Sequence, residues 1–257
     1  MNIAIIGTGN VATIFCRLFS QHEHRIVQVL GRDEQKVSAL AASCGAHSSS
    51  WASGVIDPVV ELCIVAVNDD ALKEVLTKVD FNNKPIAHTA GSLSMQLLKG
   101  FAHNYGIFYP LQTLRKEMTD LPPIPFLIDG SDDEMIQLLR SLAISVSDRV
   151  EVANDEKRGR LHVAAVTVCN FTNHLFSLAE QYCHKEELPF DILFPLILQT
   201  AKGIVPKGPA AVQTGPAIRK DLATIERHLQ WLNAHPELKS IYLMLSESIM
   251  EFTDKDK

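Results

Sequence analysis

Over the first 155 residues, short apolar runs alternate with amphipathic segments. The runs are IAIIG (3–7), RIVQVLG (25–31), ELCIVAVN (61–68), PIAHTAG (85–91), GIFYPL (106–111), PFLIDG (125–130) and SVSDRVEV (145–152). Between them, apolar positions recur at helical spacing over 10–20, 33–44, 70–78, 92–99 and 132–142. Strands alternating with helices predict right-handed crossovers and a parallel sheet covered on both faces, a doubly wound α/β domain. After Asp155 the rhythm changes to helical segments at about 158–183, 190–204, 217–233 and 237–252, separated by LPFD, VPKGPAAVQTGP and AHPE. The pattern therefore divides the chain into residues 1–155, α/β, and residues 156–257, all-helical, with the terminal DKDK read as a frayed end.

Composition narrows the function classes. The 257 residues are 46% hydrophobic and 21% charged, with a formal net charge of −6 and no run of four Lys or Arg. Phosphate backbones need a basic face, so nucleic acid is not an expected partner. No run approaches the roughly 18–20 apolar residues of a membrane span, and the start lacks a basic segment followed by a long apolar one; a cytoplasmic protein without membrane contact is expected. The five cysteines (Cys16, Cys44, Cys63, Cys169, Cys183) are odd in number, form no C-x-x-C and sit mostly in apolar runs, which reads as buried, reduced thiols and no metal site.

Residues 3–12, IAIIGTGNVA, are the first stretch that suggests chemistry. An apolar strand, then G-x-G-x-x-A, then a helix is the context of a dinucleotide-binding turn. Gly7 permits the tight turn, Gly9 lets a pyrophosphate approach the backbone, and Ala12 keeps helix and strand close. Gly7, Thr8, Gly9, Asn10 and Val11 are the expected phosphate-side contacts, facing the positive end of a helix. About 20 residues on, where an NAD enzyme holds an acid for the ribose 2′-hydroxyl, the chain reads LGRD. Arg32 suits a 2′-phosphate and hence NADP, unless it is a solvated surface charge. Asp33 could be the acidic reader, but is better placed as a helix N-cap.

Together with this turn, VAVNDDALKEV (65–75), HTAGSLS (88–94), LHVAAVTVCNF (161–171) and TGPAIRKDLATIERHL (214–229) carry a resemblance across essentially the whole chain. The sequence resembles the NADP-dependent, 6-phosphogluconate dehydrogenase-like superfamily, close to pyrroline-5-carboxylate reductase and the deazaflavin-linked NADP reductases. Within it, the chain looks like the subfamily that joins a Rossmann domain to a helical domain of unknown function. The resemblance implies NADP-dependent oxidoreduction, and a long first helix of the second domain that packs on the nicotinamide side and often helps form a dimer. In the superfamily a Lys and an Asn of that helix serve the substrate; no lysine occurs here between 158 and 184, and His162 with Asn170 are the candidates. The subfamily has Gly between Arg219 and Asp221, where this chain has Lys220.

Hydride transfer to C=O or C=N needs positioning and a proton source rather than a nucleophile. Val67, Asn68 and Asp69 sit at the carboxyl end of the run ELCIVAVN, at the ligand edge of such a sheet, and would contact the nicotinamide ribose, although Asp69 and Asp70 equally read as helix-start residues. His88, Thr89 and Ser92 lie at the next strand end, in IAHTAGSLS, which would put them beside the nicotinamide, with Thr89 a cofactor contact. His88 is a candidate acid there or a capping histidine, and Ser92 a substrate contact or the N-cap of helix 93–99. At 100° per residue, His162, Val166, Cys169, Asn170 and Asn173 share a stripe, with His174 one step round. Polar residues on so apolar a helix cost roughly 1–3 kcal/mol each unless paired, so they imply contacts with substrate or with another part of the protein. The connection IVPKGPAAVQTGP is long and irregular, and Thr214 with Arg219, on the helix that Gly215 and Pro216 would start, could grip an anionic substrate; an Arg219–Asp221 clamp is the alternative. The expected protein is an NADP(H)-dependent reductase of a small carbonyl or imine compound and a homodimer. A non-catalytic NADP(H) sensor is the rival reading.

Overall fold

The computed structural model describes residues 1–52 and 54–255, with side chains to residue 252; Asp256 and Lys257 of the terminal DKDK lie outside the described residues. The chain forms two compact units, Met1–Cys169 and Asn170–Lys257.

In the first unit, β1 (Asn2–Ile6), β2 (Arg25–Gly31), β3 (His47–Ser50), β4 (Leu62–Val65), β5 (Ile86–His88), β6 (Tyr105–Pro110), β7 (Phe126–Gly130) and β8 (Val150–Val152) form one sheet in the order β3-β2-β1-β4-β5-β6-β7-β8. From β3 to β6 all pairs are parallel. The order runs outward from β1 through β2 to β3, then restarts on the other side with β4. The crevice outside the carboxyl ends of β1 and β4 is therefore the switch point at which such sheets bind ligands.

The helices follow from spacing and caps. In α1 (Asn10–Gln21), Ile14, Phe15, Leu18 and Phe19 fall on one face and are buried. Each contributes about 1.5–3 kcal/mol relative to exposure. Phe15 and Phe19 join Phe108 and Phe126 in an aromatic cluster, with Phe108 and Phe126 centroids 4.6 Å apart. In α2 (Glu34–Cys44), Asp33 caps the amino end by accepting from Lys36 N at 3.2 Å, and Gly45 ends the helix at φ +67°. The opposite sheet face packs Ile6, Val65 and Ile86 under α3 (Asp69–Lys78), through Leu72, Val75 and Leu76. On the first face, α4 (Asp133–Val146) covers β6 and β7 with Met135, Leu139 and Leu142.

Several details depart from the pattern-based reading. The sheet is not wholly parallel: β7 runs antiparallel to β6 and β8 parallel to β7, because the 111–125 connection carries no helix to bring the chain back across the sheet. β3, HSSS, has no apolar signature; its pairing with β2 alone makes it a strand. The run 145–152 splits, α4 continuing to Val146 and the strand holding only Val150–Val152. The predicted helix 92–99 is one 3₁₀ turn, Met95–Leu98, capped by Ser94 rather than Ser92. Of the five free thiols, Cys16, Cys63 and Cys183 are buried as expected, but Cys44 and Cys169 are only half-buried.

The helix expected at 158–183 begins earlier, as α5 (Asp155–Ala165), capped by Asn154, and continues through a π-helical segment, Val166–Phe171, into α6 (Thr172–Lys185). The 100° stripe from His162 to Asn173 does not survive, since a wider turn between them shifts the phase. The division between the compact units falls within this segment.

The second unit is helical: α6, α7 (Phe194–Lys207), α8 (Pro209–Val212), α9 (Leu222–Trp231) and α10 (Pro236–Lys255). α7 follows a 3₁₀ turn at Phe190–Leu193 and continues through Pro206, so much of the supposed irregular connection is helical. Gly215 and Pro216 do not start the helix after it. Asp221 caps α9, accepting from Thr224 N and Thr224 Oγ1 at 3.1 and 2.8 Å, and Arg219 lies in the preceding turn. Lys220 adopts φ +54°, the left-handed conformation that glycine enters most easily, at the position where the resembling subfamily has glycine. His235 is buried here, paired with Glu186 Oε1 at 2.6 Å and edge-on to Tyr182.

Candidate functional site

The crevice at the ends of β1 and β4 is built for close approach. Gly7 has φ +127°, and a Cβ there would stand 2.1 Å from Ala66 O, so no other residue fits. Its N–H donates to Leu30 O at 2.7 Å, which sets the turn against β2. Gly9 is different: its φ is −81° and a Cβ would meet no protein atom within 4 Å. Its smallness therefore serves the open space in front of it. Gly9 is the N-cap of α1 and makes no side-chain cap bond, and no acid occupies the first turn, so the first N–H groups face that space without a side-chain acceptor. A free helix amino end beside an open glycine fits a pyrophosphate, and the residues present thus fit a dinucleotide.

The predicted cofactor residues line this edge in order. Thr8 packs its methyl against Gly31, and Arg32, exposed just past β2, holds its guanidinium 5.9 Å from the centroid of Trp51. Val11 is half-buried. The Asn10 carboxamide accepts from Lys116 N at 3.2 Å, which pins the 111–125 loop to the start of α1; Arg17 holds the same loop through Met118 O and Lys116 O. Sequence reading gave no sign of this loop, whose anchors are backbone groups. Val67 lies beside Gly7, and Asn68 caps α3 without a side-chain bond. Asp69, in the first turn of α3, accepts from Ser92 Oγ at 2.7 Å, so the strand ends of β4 and β5 are tied together. Thr89 is buried and its N–H donates to Val65 O at 3.2 Å.

Beyond β5 the site becomes a polar layer. His88 is 1% exposed; Ala90 N donates to its Nδ1 at 3.2 Å, and its Nε2 donates to Ser94 O at 3.4 Å. Burial pushes its pKa down to about 4, so it is neutral at physiological pH. His162, on α5, stands against Gly91: a Cβ on Gly91 would be 2.7 Å from His162 Nδ1 and 2.9 Å from Tyr109 Cζ. Tyr109 Oη and His162 Nδ1 are 3.0 Å apart, with the rings edge-on. Burial raises the Tyr109 phenol above its ordinary value.

Arg158 organises this layer. It is 1% exposed, donates through Nε to Gly91 O at 3.3 Å and through Nη2 to Leu93 O, and pairs with Asp155 at 2.7 Å. Asp155 also accepts from Met95 N at 3.3 Å, so α5 clamps the whole stretch from Gly91 to Met95. Nη1 of Arg158 is buried without a partner among the described residues. Neither Tyr109 nor Arg158 was legible beforehand: DEKRGR reads as a solvated face, and Tyr109 as one more apolar strand residue.

The remaining predicted residues, Asn170, Asn173, Thr214 and Arg219, belong to the second unit and are exposed. Among the described residues, no group of three or more His, Cys, Asp or Glu side chains could hold a metal ion, and no helix is long and apolar enough to cross a membrane.

Comparison with known proteins places the chain. Residues 2–89 match the model of the NADP oxidoreductase, coenzyme F420-dependent, and residues 124–249 match a domain of unknown function, DUF2520. A candidate NADP oxidoreductase from Bacteroides fragilis is 39% identical over 97% of this chain and 98% of its own, with a TM-score of 0.89. A reductive aminase from Aspergillus terreus, solved with NADPH and ethyl-5-oxohexanoate, is 16% identical over 99% of this chain and 94% of its own, at a TM-score of 0.72. The 1-pyrroline-5-carboxylate reductase of Streptococcus pyogenes is 16% identical over 98% of both chains, at 0.64. These two likenesses show a shared fold. No curated protein matches the chain. The chain belongs to the NADP oxidoreductase family, in the form that joins a dinucleotide-binding domain to the domain of unknown function.

Proposed function

We propose that this protein is an NADPH-dependent reductase of a small carbonyl or imine compound. The observation that carries the reading is the His162 ring standing against Gly91, at the end of β5, on the same sheet edge as the Gly7–Gly9 turn. A bound reduced nicotinamide would supply the hydride. The chain's own residues do the rest: the α1 amino end and Gly9 hold the pyrophosphate, Val67, Asn68, Asp69 and Thr89 contact the nicotinamide ribose, and Arg32 takes the 2′-phosphate. A guanidinium–phosphate contact is worth about 1.5–3 kcal/mol, enough for a roughly 10- to 100-fold preference for NADPH over NADH.

His162 is the group we assign to proton supply. His88 holds the 88–94 turn in shape, because both its nitrogens are engaged and it stays neutral. Asn170 stays a candidate catalytic group, and Ser92, Asn173, Thr214 and Arg219 are the proposed substrate-side groups, Thr214 and Arg219 acting through their side chains, since Asp221 caps the α9 end. The second unit is proposed as the homodimer surface, supported by the exposure of Ile192, Leu196, Val205 and Trp231.

The test is NADPH oxidation with a panel of keto acids, aldehydes, ketones and cyclic imines, beside calorimetric titration with NADPH and NADH. Turnover with at least one acceptor and tighter binding of NADPH are expected. Tight NADPH binding without any turnover would instead favour a sensor.

A further inference from the structure

By strand alternation, Tyr109 shares a sheet face with Ile107 and, through the antiparallel pairing, with Asp129, while Phe108 points into the aromatic cluster on the other face. Its phenol thus leaves the core and meets the polar layer beneath α5. There it finds His162 at 3.0 Å, and among the described residues neither side chain hydrogen-bonds to anything else. Gly91 touches both groups at once, and a side chain on it would fill the space they share. The other titratable groups of the layer have partners of their own: His88 has Ala90 N and Ser94 O, Asp155 has Arg158 and Met95 N, and Asp129 accepts from Gly130 N at 3.0 Å. Among the described residues, the phenol and imidazole bond to each other alone, with hydrogen-bonding capacity to spare on both.

We propose that Tyr109 is the catalytic proton donor of this site and that His162 acts through it, returning the proton that Tyr109 gives up. The assignment rests on the reductase reading. In the step, the substrate carbon gains a hydrogen with both its electrons from the reduced nicotinamide, while the Tyr109 O–H bond breaks and an O–H or N–H bond forms on the substrate heteroatom. The phenolate then takes the Nδ1 proton of His162, as its Nε2 takes one from water. One hydride leaves the cofactor and one proton leaves the solvent. Burial, which keeps the phenol protonated above its ordinary range, leaves a proton available throughout neutral pH.

The experiment compares Y109F, H162A and the double variant with the wild type. Tyr109→Phe removes one oxygen from a half-buried ring, and thermal melting checks that each variant folds. The Nδ1 resonance of ¹⁵N-labelled His162 in the ligand-free protein is expected to shift in Y109F; an unmoved resonance overturns the pairing before any substrate is added. With a substrate from the panel, Y109F should lower kcat roughly 100-fold or more with NADPH affinity kept within a few-fold, and the double variant should be little worse than Y109F, since the two residues act in series. Full kcat in Y109F with loss only in H162A leaves the reductase reading standing and makes His162 the direct donor. A wild type that turns over nothing ends the reductase reading itself and this assignment with it.

Discussion

Two glycines two positions apart have opposite duties, and substitution separates them. Gly7→Ala forces a Cβ onto Ala66 O at 2.1 Å in a left-handed backbone and should destabilise the protein by more than about 3 kcal/mol, read by urea unfolding. Gly9→Ala meets no protein atom at an ordinary φ and should leave stability within about 1 kcal/mol while weakening NADPH binding at least 10-fold; retained binding would show that nothing approaches that backbone. A third residue sets a pH dependence. His88 has its pKa lowered by burial to about 4, against about 6.5 unfolded, so the folded state favours the neutral ring. Its contribution is complete above pH 6.5 and is lost as pH falls toward 4, roughly 3 kcal/mol in all. His88→Gln should flatten the fall in stability between pH 7 and 4; an unchanged slope would remove His88 as its cause. At this scale the sequence was most legible where a residue type acts on its own backbone: the tight turn at Gly7 and the helix cap at Asp33 were read from the residue alone.

Elements were legible where their periodicity was strong and local. β1, α1, β2 and α2 came from apolar spacing and a cap, whereas β3 and the 92–99 turn did not, because pairing and tertiary anchoring shape them. The π-helical segment was invisible, since nothing in VTVCNF distinguishes a wide turn from an ordinary one, and it displaced the proposed stripe of polar residues. Arg158 is the element-scale anchor that was missed: a charge in the first turns of α5 reads as solvent-facing, yet it fixes the Gly91–Met95 stretch against the helix. Arg158→Ala leaves Asp155 and two carbonyls without their cation and should cost about 3–5 kcal/mol, with Arg158→Lys recovering part of it. Chemical denaturation of the three proteins checks this, and a loss below 1 kcal/mol in the alanine variant would mean that the clamp is dispensable.

For the whole molecule, the doubly wound order was readable from the alternation of runs, while the reversal at β7 was not, because a strand's direction depends on whether its connection crosses the sheet. The helical unit carries a large exposed apolar surface, Val205 being 86% exposed and Ile192 73%. If a second copy covers it, sedimentation at micromolar concentration should give a species of about twice 28.4 kDa, and Val205→Glu with Leu196→Glu should shift it toward the monomer. A wild-type monomer would end the dimer proposal.

The polar strand at one sheet border bears on how the protein behaves when crowded. An open sheet has two margins where unpaired backbone groups can recruit another chain. Here one margin is the four-residue HSSS of β3 and the other the three-residue VEV of β8, with Glu151 at its centre. Short, hydrophilic or charged margins offer a newcomer few hydrogen bonds and no apolar side chains to bury, so they discourage edge-to-edge growth. Changing Ser48 and Ser50 to Val leaves the native pairing with β2 intact but turns the margin into a sticky template. Light scattering of that variant at high concentration should rise over hours while the wild type stays clear; equal scattering would show that solubility is guarded elsewhere.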